Sequence, residues 1–200
     1  MQGGKQTMAR PKTFNRTQML DKAIELFWSR GYEATSINDL LAYLSIKRQS
    51  LYDTFGDKHT LFLEALKRYE ERASASTIGV LEESGSGKEA ITRVFRATVQ
   101  QLGQTIPPRG CLIVNTAIEL APHDPEVAQF VAASVARTQE AFYRALLRAN
   151  EQGELQTQRD LTTLARFLTA SLQSLNITAK ATRDAAQVRD VASVALSVLS

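Results

Sequence analysis

Apolar residues recur along this chain at spacings of three and four, the period of helices that bury one face. Alternating β-branched runs bounded by turns are absent, so the pattern predicts helices almost throughout. The first has a marked start. Asn15 stands as N-cap with Gln18 as capping-box partner, and Phe14 and Met19 flank them as a hydrophobic staple. Leu20, Ala23, Ile24, Phe27 and Trp28 make its apolar face, and Gly31 closes it as a left-handed C-cap. A second, shorter helix starts near Ser36 with Asp39 as box partner, turns Ile37, Leu40 and Leu41 inward and ends near Tyr43. A third spans roughly 47–54. Asp57 then caps a long helix from Lys58 to about Val80, with Leu61, Phe62, Ala65, Leu66 and Tyr69 facing in.

Behind it, Ser84-Gly85-Ser86-Gly87 reads as an interhelix loop. Further helices are expected from about Lys88 to Thr105 and from Cys111 to just before Pro122. Asp124-Pro125 opens the next, with Pro at its first position, and Gly153 stops it. Asp160 caps another to about Lys180, and a last fills roughly Asp184 to Leu199. The expected fold is all-α, about nine helices with no internal repeat, three short ones in front and six behind.

Composition narrows the classes. With one Cys and two His in 200 residues, neither a disulfide framework nor a multi-Cys/His metal module is possible, and no motif implies a cofactor. No apolar run approaches the ~18 residues of a membrane span. Met1–Lys12 is polar and lacks the apolar core of a secretory leader, so a cytoplasmic protein is expected. Catalytic signatures are missing: there is no Ser-His-Asp order, His-Glu-x-x-His or glycine-rich phosphate loop, and His59 and His123 stand without partners. An enzyme is therefore not expected. His59 reads as a surface residue near nucleic-acid phosphate, and His123 as part of a loop.

Charge sharpens the front. Residues 1–58 carry nine Lys and Arg against six Asp and Glu, whereas the remainder is balanced, so the net +3 sits in the first third. That asymmetry suggests a polyanion partner there. The second and third helices, joined by a tight turn, form a candidate helix-turn-helix whose second helix would enter a major groove. Leu51 and Phe55 pack inward, leaving Arg48, Gln49 and Tyr52 outside. Arg can fork to guanine, Gln to adenine, and a Tyr hydroxyl can reach phosphate. Arg10 and Lys12, on the arm before the first helix, suit a minor groove or the backbone. Lys58 joins a cation to the N-terminal N–H groups of the long helix, which suits a phosphate oxygen. The candidate DNA contacts are Arg10, Lys12, Ser36, Lys47, Arg48, Gln49, Ser50, Tyr52 and Lys58. A helical interaction module without DNA is the competing reading, in which the basic front is incidental.

Residues 14–66 resemble the TetR family of bacterial transcriptional repressors. The match is carried by Ala23-x-x-Leu26-Phe27, Gly31-Tyr32-x-x-Thr35-Ser36, Asp39-Leu40 and Ser50-Leu51-Tyr52-x-x-Phe55-x-x-Lys58-x-x-Leu61. The resemblance implies a DNA-binding helix-turn-helix domain over 1–57 and a sensor and dimerisation domain over 58–200. It also implies a homodimer built on the last two helices that presents both reading helices to a palindromic double-stranded operator. Three positions depart from the family pattern: Ser45 stands where a turn Gly is common, Lys47 replaces a Ser cap, and Gln49 replaces a frequent Gly. The long polar side chain of Gln49 makes it the first candidate for a base contact.

The rear helices should enclose a small-molecule pocket. Phe95, Leu102, Ile113, Phe130, Phe142, Phe167 and Leu172 are its candidate lining, although stripes at this spacing also make plain core. Gly110-Cys111-Leu112 is sharper. A thiol at a helix N-terminus meets the positive end of the dipole, and Arg109 is adjacent; both favour a reactive thiolate. A lone Cys is equally a common buried, inert residue. Gly110-Cys111-Leu112, with Glu119 beyond it and Lys180 on the eighth helix, is similar to TetR-family repressors that sense electrophiles and reactive chlorine. That similarity implies Cys111 as sensor, with Lys180 able to join it in a reversible sulfur–nitrogen bond. Gly-Cys-Leu also occurs in relatives whose inducer is an ordinary metabolite, so a non-covalent inducer stays open.

Overall fold

The computed structural model of the protein describes residues 15–104, 107–155, 157 and 159–200. They form nine α-helices: α1 Arg16–Arg30, α2 Ile37–Leu44, α3 Arg48–Phe55, α4 Lys58–Glu82, α5 Gly87–Gln104, α6 Leu112–Glu119, α7 Pro125–Glu151, α8 Leu161–Thr182 and α9 Ala185–Leu196. A 3-10 turn, Ser197–Leu199, follows. Among the described residues there is no strand, and no helix is long and apolar enough to cross a membrane.

The helices start where short polar side chains can accept their first N–H groups. Asn15 accepts from Thr17 and Gln18, Asp57 from Thr60, Asp124 from Glu126 and Val127, and Asp160 from Thr163. Around Ser36 and Asp39 a complete capping box forms. At Asn15 the cap accepts backbone N–H groups only, without the expected return from Gln18; Phe14, the other half of the staple, lies outside the described residues. Gly31 has φ 88° and ψ 169°, so it is not a left-handed cap as expected; the positive φ is paired with an extended ψ, a region essentially open to glycine alone.

Burial divides into two cores. The first joins α1, α2 and α3 to the first half of α4, α6 and the start of α7, around Phe27, Leu40, Leu51 and Phe62. The second joins the end of α4 to α5, the rest of α7, α8 and α9, around Phe95, Phe142, Leu146 and Leu168. Helix α4, 25 residues and so about 38 Å long, runs through both. The front helices therefore do not own their core: they share it with α6, the helix that follows Cys111. In the second core Gly87 lets α5 approach α7 closely, since a Cβ there would stand 2.0 Å from the Ala145 carbonyl oxygen.

Candidate nucleic-acid interface and sensor cavity

The turn between α2 and α3 is made by Ser45 at φ 57°, ψ 44°, a left-handed conformation held by a residue with a Cβ. Its N–H bonds back to the Leu41 and Ala42 carbonyls, so the turn is tight despite the absent glycine. Leu51 and Phe55 are buried beneath α3, and Lys47, Arg48, Gln49 and Tyr52 are exposed. Neighbours hold two of these side chains in place. Arg48 donates to Asn38 Oδ1 at 2.8 Å, and the Gln49 amide donates to Asp53 Oδ1 at 2.7 Å. Ser36 is occupied as the α2 cap, and Ser50 accepts Thr54 Oγ1 on its carbonyl. Arg10 and Lys12 lie outside the described residues.

Lys58 is half-buried, its Nζ 4.0 Å from the centroid of the Tyr32 ring, and burial lowers its pKa from the ordinary 10.5 while Glu33 and Glu119 oppose the shift. The N–H groups beside it are not all open, as Asp57 takes that of Thr60 at 2.7 Å. His59, expected to stand without a partner, has one. Its Nε2 is 2.7 Å from Asp124 Oδ2, which ties the start of α4 to the start of α7. The Asp124 carboxyl is held below its ordinary value first by the backbone N–H of Val127 and then by His59.

Cys111 is the N-cap residue of α6 and is partly buried, with no side-chain cap bond of its own. Tyr69 of α4 fills that role. Its Oη accepts the Leu112 N–H at 3.3 Å and lies 3.7 Å from Cys111 Sγ, able to donate to it. Burial pushes the Tyr69 hydroxyl well above its ordinary pKa, with the neighbouring thiol adding to the shift, so it stays protonated and a donor. Arg109, expected to act on the thiol, turns instead to Glu25 of α1 in an ion pair and lies over the Trp28 ring at 5.7 Å. Lys180 lies close by: its Cδ is 3.7 Å from where a Gly110 Cβ would stand, and its Nζ donates to Asn115 Oδ1 at 3.0 Å.

Helix α6 is fastened to the front at both ends. At its start, Trp28 Nε1 donates to the Gly110 carbonyl at 3.2 Å. At its end, the Glu119 carboxylate accepts the N–H groups of Tyr32 at 3.2 Å and Glu33 at 2.9 Å. Gly31 leaves room for this, since a Cβ there would stand 2.9 Å from a Glu119 oxygen. The Cys111 loop and α6 are thereby bonded to α1 and to the loop that leads into α2.

A cavity of about 200 Å³ opens beside Cys111 and is lined from α4, α5, α6, α7 and α8. Leu102, Ile113 and Leu172 belong to its wall. The other four candidates do not. Phe95 and Phe142 are fully buried in the second core, Phe130 packs against the first, and Phe167 is 44% exposed on α8. The Phe95 and Phe142 rings fill the interior rather than line a space. Sequence reasoning missed Trp28, Tyr69 and Glu70 as wall residues. Glu70 carried a readable signal: it is an acid one position past Tyr69 and four past Leu66, on the apolar face of α4.

A helix-turn-helix packed on a larger helical body with a cavity is the architecture of a one-chain transcriptional regulator. Residues 19–65 match the family described as bacterial regulatory proteins, tetR family, and residues 87–195 match the tetracyclin repressor-like C-terminal domain. The chain belongs to the TetR family. It is 46% identical to the uncharacterized HTH-type transcriptional regulator YezE of Bacillus subtilis over 96% of this chain and 100% of that protein. With the HTH-type transcriptional repressor ComR of Escherichia coli it shares 33% identity over 88% of this chain and 84% of that one. A solved cysteine mutant of the TetR family regulator CifR, complexed with 26-base-pair operator DNA, superposes with a TM-score of 0.84 at 31% identity, covering 96% of this chain and 100% of that chain. These families and relatives are transcriptional regulators, not enzymes, and the CifR structure holds operator DNA.

Proposed function

We propose that the chain is a homodimeric repressor that leaves a palindromic operator when Cys111 is oxidised or alkylated. Residues 1–57 read the DNA, and residues 58–200 sense and dimerise. Gln49 and Arg48 are the base-reading side chains, with Lys47, Ser50, Tyr52, Lys58, Ser36 and the Arg10–Lys12 arm on the backbone. Exposed Phe167 and Ile177 on α8 and Val194 on α9 support pairing through the last two helices.

The carrying observation is the Tyr69 hydroxyl against Cys111 Sγ, beside a loop whose Gly110 carbonyl is held by Trp28 of α1. Modifying the sulfur enlarges it and removes its role as acceptor for Tyr69, so the loop moves and the Trp28 bond is strained. With hypochlorous acid the thiol becomes a sulfenyl chloride and water. The Lys180 amine then displaces chloride, losing a proton, to give the sulfur–nitrogen bond. Lys180 beside Gly110 supports that partner.

The test is a mobility shift on DNA upstream of the protein's own gene, with hypochlorous acid and with N-ethylmaleimide. Wild type should be released by both and Cys111→Ser by neither. Release of Cys111→Ser at the wild-type dose overturns this reading. A second reading, a non-covalent inducer, is favoured by one observation, the cavity of about 200 Å³ whose wall includes both Trp28 and Cys111.

A further inference from the structure

We propose that this cavity binds a small organic ammonium ion, anchored on Glu70. The inference rests on the second reading above, in which the cavity is an effector site, and it names the chemistry of the effector.

Glu70 is 7% exposed and lines the cavity. Its hydrogen bonds, from Ser134 Oγ at 3.4 Å, Arg137 Nε at 3.2 Å and Arg137 NH2 at 2.7 Å, all fall on Oε1. Oε2 takes none from the described residues, and it is not sealed in protein: the one enclosed, unpartnered side-chain atom among those residues is Arg148 Nε. A carboxylate oxygen that reaches a cavity without a donor is a site for an external donor.

The rest of the wall has the same polarity. Trp28 Nε1 is engaged with Gly110, the Tyr69 hydroxyl faces Cys111, and Ser134 faces Glu70. Thr98, Thr138, Thr169 and Ser76 each donate to a carbonyl of their own helix. A hydroxyl whose proton is committed in this way offers only lone pairs to a ligand. Arg109, the one cation of the wall among the described residues, is paired with Glu25. Asn176 Nδ2 likewise donates to the Leu172 carbonyl, while Ser74, Thr77, Gln101 and Gln173 can take either role. The cavity therefore presents acceptors and one anion, and a ligand rich in donors with a positive charge complements it. Trp28 and Tyr69, edge to face at 5.2 Å, with Leu102, Ile113 and Leu172, offer an apolar and aromatic surface for the body of such a ligand.

Three probes of one shape separate the possibilities by calorimetry on the full chain: phenethylamine, phenethyl alcohol and hydrocinnamate. The amine should bind at least tenfold tighter than the alcohol, and the carboxylate should not bind. In Glu70→Gln the amine should lose at least tenfold while the alcohol is unchanged. Equal binding of amine and alcohol by wild type, binding of none of the three, or full amine affinity in a folded Glu70→Gln overturns the proposal. The wild-type comparison decides the matter even if the variant does not fold. Amine binding without DNA release would uphold the ligand class and overturn the effector reading.

Discussion

Seven helices of this protein begin on a side chain that accepts their own first N–H groups, namely Asn15, Ser36, Asp57, Ser86, Asp124, Asp160 and Asp184. Two do not: Lys47, the N-cap residue of α3, and Cys111, that of α6, make no such bond. These two termini belong to the parts of the chain to which DNA reading and sensing are assigned, and they differ in what stands in for a cap. The start of α3 faces solvent, with Lys47, Arg48 and Gln49 exposed, so its free N–H groups suit an external anion. The start of α6 is folded inward, and Tyr69, from a different helix, takes the Leu112 N–H and reaches the thiol. A side-chain cap on the same helix would have taken one or two of these N–H groups at either end.

The comparison breaks most visibly if α3 is given a cap. Lys47→Asp should stabilise the helix by about 1 kcal/mol yet lower operator affinity by roughly tenfold or more, since it exchanges a cation for an anion at the end proposed to face phosphate. Thermal melts and salt-titrated mobility shifts would read the two opposite effects; unchanged affinity would remove α3 from the interface. The capped helices should respond to acid instead. Asp57, Asp124 and Asp160 are held below the ordinary 3.8, each chiefly by the backbone N–H it caps. Their stabilisation is complete above the unfolded value and is lost as pH falls through the lowered folded one. The melting temperature should therefore be insensitive to these groups near neutrality and fall below about pH 4.

The fastening of α6 gives the next effect. Glu119→Ala removes two hydrogen bonds to a carboxylate and should cost about 1–3 kcal/mol, with weaker operator binding as the Gly31–Glu33 loop loosens. Normal affinity at full occupancy of folded protein would sever α6 from the reading helices. Tyr69→Phe leaves the Leu112 N–H without its partner and should cost about 1 kcal/mol. It should also slow alkylation of Cys111 by iodoacetamide severalfold; an unchanged rate would show that the hydroxyl does nothing for the sulfur. The smallest effect is expected at the turn: Ser45→Gly relieves a left-handed side chain and should change stability by less than about 1 kcal/mol, because glycine also loosens the unfolded chain.

Much of this architecture is legible in the amino-acid sequence. The caps at Asn15, Ser36, Asp57, Asp124 and Asp160 are local, and so are the inward Leu51 and Phe55 that leave Arg48, Gln49 and Tyr52 outside. The cavity is not legible in that way. Apolarity alone does not distinguish a residue filling space from one bounding it, so the pattern points to Phe95 and Phe142 where Ser, Thr and Glu70 stand. Adjacency likewise pairs Arg109 with Cys111, although in the fold Glu25, 84 residues away, is its partner.

By itself, then, the sequence determined whatever depends on a few consecutive residues: where helices start, which face is apolar, that α2 and α3 join in a tight turn, and that the one thiol opens a helix. Tertiary structure alone decided that Tyr69 meets Cys111 across 42 residues and that Glu119 grips the backbone of Tyr32 and Glu33 from more than 80 residues away. It also set the buried carboxylate of Glu70 in the cavity wall, with its hydrogen bonds from Ser134 and Arg137 all on one oxygen. The physical reason is range. A cap is settled within one turn of helix, whereas contacts between helices depend on how whole amphipathic faces dock, and a shift of an ångström decides whether a side chain is bonded, buried or left waiting for a ligand.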